Sequence, residues 1–484
     1  MRVLEGLEPK EVFYYFEEIS NVPRPSYKED KISAYLVEFA KKHNLEYHQD
    51  ELKNVIIIKE ATEGYENEEG YIIQGHMDMV CEKEPDYEID FENDPLSLMV
   101  NGDFIEAKGT TLGGDDGIAV AYALALLASK DIPHPRLEVV ITVSEEVGME
   151  GAAGIDLSMI KSRRLLNIDS EDEGIFLTSC AGGSSAKCSV PLVFEQRKGV
   201  RYSIKVDGFM GGHSGTEIDK CRANANIFMG RLLHGISREL NFGLSDIHGG
   251  SKENAIPREC QAEVIVKEKD EEKLVATVKE LGAVIAKEFA TADPSIKVTV
   301  TKESVNGEEA TYMLAKESEE MIILLLNTLP SGIQAMSANI KGLVETSLNL
   351  GIMEIQKDRF ILRYAVRSSV ESAKTHLEEQ LKMLIGFVGG TVEITGDYPA
   401  WEYNPDSKMR ENMIAVYKEM YGKEPIVEAI HAGLECGILS NKLPGLDCIS
   451  MGPDMTDIHT TNEKLSISST KRVWEYLCKV LAHK

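Results

Sequence analysis

The chain has 484 residues, of which 43% are hydrophobic and 27% charged, and 52 basic against 80 acidic side chains give a formal charge of −28. That length exceeds what one hydrophobic core usually serves, so two domains are expected, and the ordinary apolar content excludes disorder as the default. A strongly negative field repels nucleic acid and anionic lipid, which leaves a small molecule or peptide as the expected partner and neither nucleic acid nor membrane; the acidity also keeps a protein soluble.

The N-terminal stretch MRVLEGLEPKEVFYYFEEIS lacks the basic start and apolar core of a signal peptide. The longest apolar run, Ile118 to Ala128, is too short to span a bilayer. Both features point to the cytosol. The eight cysteines form no CxxC pair, and in a reducing compartment they read as buried thiols, Cys81 included.

In chain order, an amphipathic segment and the turn NVPRPS lead to a helix over Lys31–His43, then to strands in NVIIIKE and YIIQGHMDMV. GTTLGGDDG reads as a loop, the Ala/Leu-rich stretch after it as a helix, RLEVVITVSEE as an apolar strand entering a charged turn, and RLLNIDS as a short strand with an acid at its exit. Strands alternating with helices predict an α/β fold with a mixed, mainly parallel sheet flanked by helices, where ligands gather beyond the carboxyl ends of strands. From about 187 to 397 the texture changes to long alternating strands and charged amphipathic helices, which predicts an inserted α+β domain. Within it ECQAEVIVKE, a helix and SIKVTVTK are echoed by DRFILRYAVRSS, a helix and GTVEITG, an internal duplication at low identity. The α/β character returns after Tyr398, so the first domain is expected to comprise 1–186 and 398–484.

The candidate chemistry sits at strand exits. His76 and Asp78 form an H-x-D pair whose period-two spacing puts both side chains on one side, the carboxylate able to orient the imidazole of a metal ligand. Asp115 and Asp116 follow two glycines at a helix start, where an N-cap is the plainer role. Glu145 and Glu146 end an apolar strand and are expected to leave it on opposite sides, one to ligate and one to face a water. Asp169 and His459 complete the set. Each is ordinary alone. Together, two histidines and three carboxylates fit two zinc ions with N/O ligands and open positions, Asp115 bridging and Glu145 serving as general base. His134, His234, His248 and His376 carry no motif and read as structural.

The ordered motifs GHMDM, GGDDGIA, SEEVGMEGA, LNIDS, GGHSG, ENAIPRE, HAGLECGI and GPDMTDIHTTNE resemble, over essentially the whole chain, the cytosolic aminoacyl-histidine dipeptidases (peptidase D, or Xaa-His dipeptidase), relatives of peptidase V, the carnosinases, carboxypeptidase G and the aminoacylases. The resemblance implies a discontinuous catalytic domain with an inserted lid of the dimerisation type. It implies two Zn²⁺ per chain, with Mn²⁺ or Co²⁺ as substitutes: His76 and Glu146 on one, Asp169 and His459 on the other, and Asp115 between, Asp116 being the alternative bridge. Asp78 then orients His76, and Glu145 generates a zinc-bridged hydroxide that attacks a dipeptide such as β-Ala-His. His213, in GGHSG, resembles the lid histidine that stabilises the oxyanion. Asn254, Arg258, Arg367 and His431 are candidates to grip the substrate carboxylate, a task that suits arginine's bidentate fork. Preference for histidine, and a homodimer, rest on the resemblance alone. An aminoacylase or carboxypeptidase with the same metals, and a non-catalytic binding protein on the same fold, are the alternative readings.

Overall fold

The computed structural model describes residues 2–303 and 310–484. They form two compact units: Met1–Cys180 with Tyr403–Ala429 and Leu434–Lys484, and Ala181–Glu402 with Ile430–Gly433. The start of the HAGLECG motif goes with the second unit.

The first unit is built on a sheet whose strands run, side by side, Glu46–Gln49, Val55–Lys59, Leu137–Thr142, Tyr71–His76, Arg164–Asn167, Asp447–Ser450, Ile175–Cys180 and Ile426–Ile430. The four from Leu137–Thr142 to Asp447–Ser450 are mutually parallel, and Val55–Lys59 and Ile175–Cys180 join them antiparallel. Leu137–Thr142 and Tyr71–His76 are buried at every position, as parallel strands covered on both faces must be, which explains their unbroken apolar runs. The helix Gly114–Ala128 is buried from Asp116 to Leu127 and so reads as apolar all round; Asp115 and Asp116 keep non-helical backbone angles, so regular helix begins only after them. Four parallel strands bring four carboxyl ends to one edge. His76 ends one strand, Glu145 and Glu146 follow Thr142, Asp169 follows Asn167, and the chain leaving Ser450 reaches His459.

The second unit is an antiparallel sheet with its own core. Its strands run Lys297–Lys302, Val200–Asp207, Cys260–Val266, Gly243–Gly249, Val344–Gln356, Arg359–Ser368, Gly182–Pro191 and Thr391–Tyr398, with Gly332–Met336 beside Val344–Gln356. Gly243–Gly249 and Val344–Gln356 meet at the centre, His248 opposite Glu354. Outward from that pair both halves have the same plan: a strand, then an early strand of its half, then the strand returning from a long helix, Glu271–Glu288 in one half and Glu371–Phe387 in the other. The echo in the sequence is therefore a strand-helix-strand unit in which both strands flank a common partner. No described helix is long and apolar enough to cross a membrane.

Candidate metal centre

Seven side chains singled out in the sequence converge in the first unit. Imidazole Nε2 of His76 lies 3.1 Å from Asp115 Oδ1 and 3.7 Å from Asp169 Oδ1. Imidazole Nε2 of His459 lies 3.0 Å from Asp115 Oδ2 and 3.1 Å from Glu146 Oε1. Asp115 thus turns one oxygen to each histidine. Asp116, fully buried, instead accepts the backbone N–H of His76 through Oδ2 at 3.1 Å, and its Oδ1 has no partner among the described residues. Among the described residues, three groupings of candidate ligand atoms lie within 4.8 Å of one another: His76, Asp116 and Asp169; His76, Glu145 and Glu146; Asp115, Glu146 and His459.

Two expectations change. The closest contacts group His76 with Asp169 and Glu146 with His459, whereas the resemblance pairs His76 with Glu146 and Asp169 with His459. The strand ending at His76 has the strands leading to Glu146 and to Asp169 as its two neighbours, so the grouping is set beyond the strand ends, where the turn after Thr142 brings Glu146 Oε1 to within 3.1 Å of His459 Nε2. Glu145 and Glu146 do not leave a strand on opposite sides either. The strand stops at Thr142, Ser144 takes φ of 53°, and a turn closed by Gly148 N–H on Glu145 O carries both carboxylates towards His76.

Asp78 lies beyond the end of its strand and holds the arrangement from behind. The Nδ1 of His76 is 3.3 Å from Asp78 Oδ1 and 3.2 Å from its carbonyl oxygen, which holds a proton on Nδ1 and aims Nε2 into the cluster. The same carboxylate accepts N–H bonds from Glu145 (3.0 Å) and Glu146 (3.3 Å) and the Ser26 hydroxyl (2.8 Å). Electrostatics and the donor set agree with a cation site. Burial, together with repulsion from Asp115 and Glu146, pushes Asp169 up to about 6 against the pull of His76. Bonds to Asp115 and Glu146 push His459 up to about 10, and for His76 the bonds to Asp115, Asp169 and Asp78 overcome the burial that opposes its charge. Imidazole nitrogens about 3 Å from carboxylate oxygens match the edge of a coordination polyhedron with bonds of about 2.0–2.2 Å. The residues fit a pair of divalent cations sharing Asp115.

The sequence reading missed Glu435. It is fully buried, accepts from Gln74 Nε2 and from the Thr142 hydroxyl (2.6 Å), and is pushed up to about 7 chiefly by burial. It lies inside the quoted HAGLECGI motif, where a charge among apolar and glycine residues was the available signal.

The remaining candidates lie in the second unit. Gly211 and Gly212, at φ of 68° and 136°, make the turn that no other residue adopts readily, and His213 then pairs with Ala255. Nδ1 of His213 accepts the N–H groups of Gly215 (3.3 Å) and Thr216 (3.1 Å), which leaves the ring proton on Nε2. Burial and the nearby Arg367 lower its pKa, so the ring is a neutral donor. A side chain placed at Gly215 would meet the His431 carbonyl, His213 Cε1 and Arg367 Nε within 3.1 Å, so these three residues share one corner. Arg367 donates to the Tyr398 hydroxyl at 2.9 Å, and its Nε has no partner among the described residues. His431 is held neutral, its pKa driven to about 3 by burial and by Arg367, with Nε2 bonded to Ser347 at 2.7 Å and Nδ1 unpartnered among the described residues. Asn254, whose carbonyl accepts Ser214 N–H, and Arg258, which reaches the Phe209 carbonyl, line a cavity of about 780 Å³ together with His213.

Known proteins resemble this one along its length. The description Peptidase family M20/M25/M40 matches residues 72–483. The chain is 34% identical over 488 residues to the cytosol non-specific dipeptidase of Escherichia coli strain K12, covering 99% of each. The crystal structure of aminoacylhistidine dipeptidase from Vibrio alginolyticus aligns with a TM-score of 0.93 at 33% identity, over 99% of this chain and 97% of that one. Aminopeptidase PepT from Bacillus cereus shares the fold, with a TM-score of 0.55 at 16% identity over 98% of both chains.

Proposed function

The chain belongs to peptidase family M20/M25/M40 and is a peptide hydrolase, and from that premise we propose that it is a cytosolic, zinc-dependent dipeptidase acting on Xaa-His substrates such as β-Ala-His and on other dipeptides. The observation that carries this reading is the single carboxylate, Asp115, facing two histidines with its two oxygens. His76, Asp169 and Asp115 would hold one Zn²⁺, and His459, Glu146 and Asp115 the other, with Mn²⁺ or Co²⁺ as substitutes. When bound, such a pair supplies Lewis acidity to the scissile carbonyl and to the attacking water.

The chain's own groups do the rest. Glu145, whose Oε2 is 4.0 Å from His76 Nε2, takes the proton of the attacking water and returns it to the leaving amine. Its backbone N–H on Asp78 fixes the start of that side chain. His213 donates Nε2–H to the oxyanion. Arg367, with His431 neutral beside it, grips the substrate carboxylate, and Asn254 and Arg258 contribute binding surface; the unpartnered Arg367 Nε and His431 Nδ1 support the first of these roles.

Hydrolysis of β-Ala-His, Gly-His, Leu-Gly, a tripeptide and an N-acetyl amino acid, with zinc measured alongside, tests the reading. Metal-dependent cleavage confined to the dipeptides is expected; cleavage of the N-acetyl compound alone makes the protein a deacylase. His213→Ala is expected to lower kcat by about 10²–10³-fold with KM little changed and zinc retained. A change confined to KM in steady-state kinetics removes the oxyanion role.

A further inference from the structure

The loop 112–115 that delivers Asp115 is gripped from two sides by a buried pair of opposite charges. Glu463, 3% exposed, accepts four consecutive backbone N–H groups: Leu112 at 2.7 Å and Gly113 at 3.0 Å on Oε2, Gly114 at 2.7 Å and Asp115 at 3.4 Å on Oε1. Arg24, 2% exposed, works on the carbonyls. Its Nη1 donates to Met77 O (3.3 Å) and Asp78 O (3.2 Å), and its Nη2 to Gly113 O. One guanidinium therefore ties the loop after His76 to the loop before Asp115, and one carboxylate ties that second loop to the segment four residues beyond His459. The glycines of GGDDG fit around this pair. A Cβ at Gly113 would lie 2.5 Å from Arg24 Nη2, and one at Gly117 2.6 Å from the same atom.

We infer that Arg24 and Glu463 are positioning residues of the metal centre, a two-sided clamp that sets where the two oxygens of Asp115 stand between His76 and His459. The inference rests on the reading of Asp115 as the shared metal ligand. A lysine at 24 keeps the charge and loses the fork that spans three carbonyls. A glutamine at 463 offers one oxygen to four donors and turns an NH₂ group towards N–H groups, so the loop shifts while the ligands themselves are untouched.

The test measures zinc affinity and stoichiometry by chelator competition on the full chain, for wild type, Arg24→Lys, Glu463→Gln, the double variant Arg24→Met/Glu463→Gln and Gly117→Ala, with thermal melts of the metal-free proteins. The clamp predicts zinc binding weakened about 10–100-fold in each folded variant, and kcat reduced with KM near wild type. The double variant leaves no unpaired buried charge, so a role confined to stability predicts wild-type affinity there, and that result overturns the clamp. Gly117→Ala keeps both charges and favours helix, yet must displace the guanidinium. It decides the matter even where the other variants do not fold, and wild-type zinc affinity in it sinks the proposal. A wild-type chain that holds no zinc overturns the metal reading itself, a separate outcome from variants that bind as wild type does.

Discussion

Glu145→Gln is expected to lower kcat by about 10²–10⁴-fold while zinc content stays at the wild-type level. Glutamine keeps the length and nearly the shape of the side chain and cannot accept a proton at working pH. The fold around it is largely insulated from the change, because the residue is anchored through its backbone N–H on Asp78 at 3.0 Å, while its carboxylate approaches His76 Nε2 only to 4.0 Å. The contrast is with its neighbour: Glu146 Oε1 lies 3.1 Å from His459 Nε2, so Glu146→Gln is expected to weaken zinc binding as well as turnover. Metal analysis beside kinetics separates the two. Turnover within tenfold of wild type in Glu145→Gln moves the base elsewhere, and zinc lost from Glu145→Gln but retained by Glu146→Gln exchanges their roles.

Different parts of this architecture were legible to different degrees. The buried parallel strands were plain, since residues such as Ile72, Ile73, Val139 and Val140 are covered on both faces of the sheet and the chain carries no polar alternation there. Positions at strand exits were legible for the same reason: an acid or histidine directly after an apolar run marks where the chain leaves the sheet. What happens after the exit was not. Period-two geometry ends with the strand, so the left-handed Ser144 and the turn after it, which bring Glu145 and Glu146 to the same side, leave no trace in an alternation pattern. The grouping of Glu146 with His459 likewise depends on where the turn after Thr142 carries the chain, a non-local fact that spacing along the chain does not encode, because the strand ending at His76 neighbours the strands leading to both Glu146 and Asp169. Arg24 and Glu463 were hidden in plain motifs, NVPRPS and GPDMTDIHTTNE, because a buried charge whose partners are backbone groups has no side-chain signature to pair it with.

Asp115→Asn is the change expected to cost the centre most. The carboxylate serves both histidine sites at once, with Oδ1 3.1 Å from His76 Nε2 and Oδ2 3.0 Å from His459 Nε2, and an amide replaces one of those oxygens with an NH₂ group that no cation accepts. One negative charge is lost between the two cation positions as well. Zinc is expected to fall from two per chain to at most one, and kcat/KM by about 10³-fold or more, the equivalent of about 4 kcal/mol of charge stabilisation. Asp116→Asn is the necessary companion, because Asp116 also falls within 4.8 Å of His76 and Asp169. Its Oδ2 accepts a backbone N–H, a bond that an asparagine oxygen reproduces, so full zinc content and activity within about tenfold of wild type are expected there. Should Asp116→Asn shed zinc while Asp115→Asn keeps two ions, the shared ligand is Asp116, and the assignment of both metal sites must be redrawn around it.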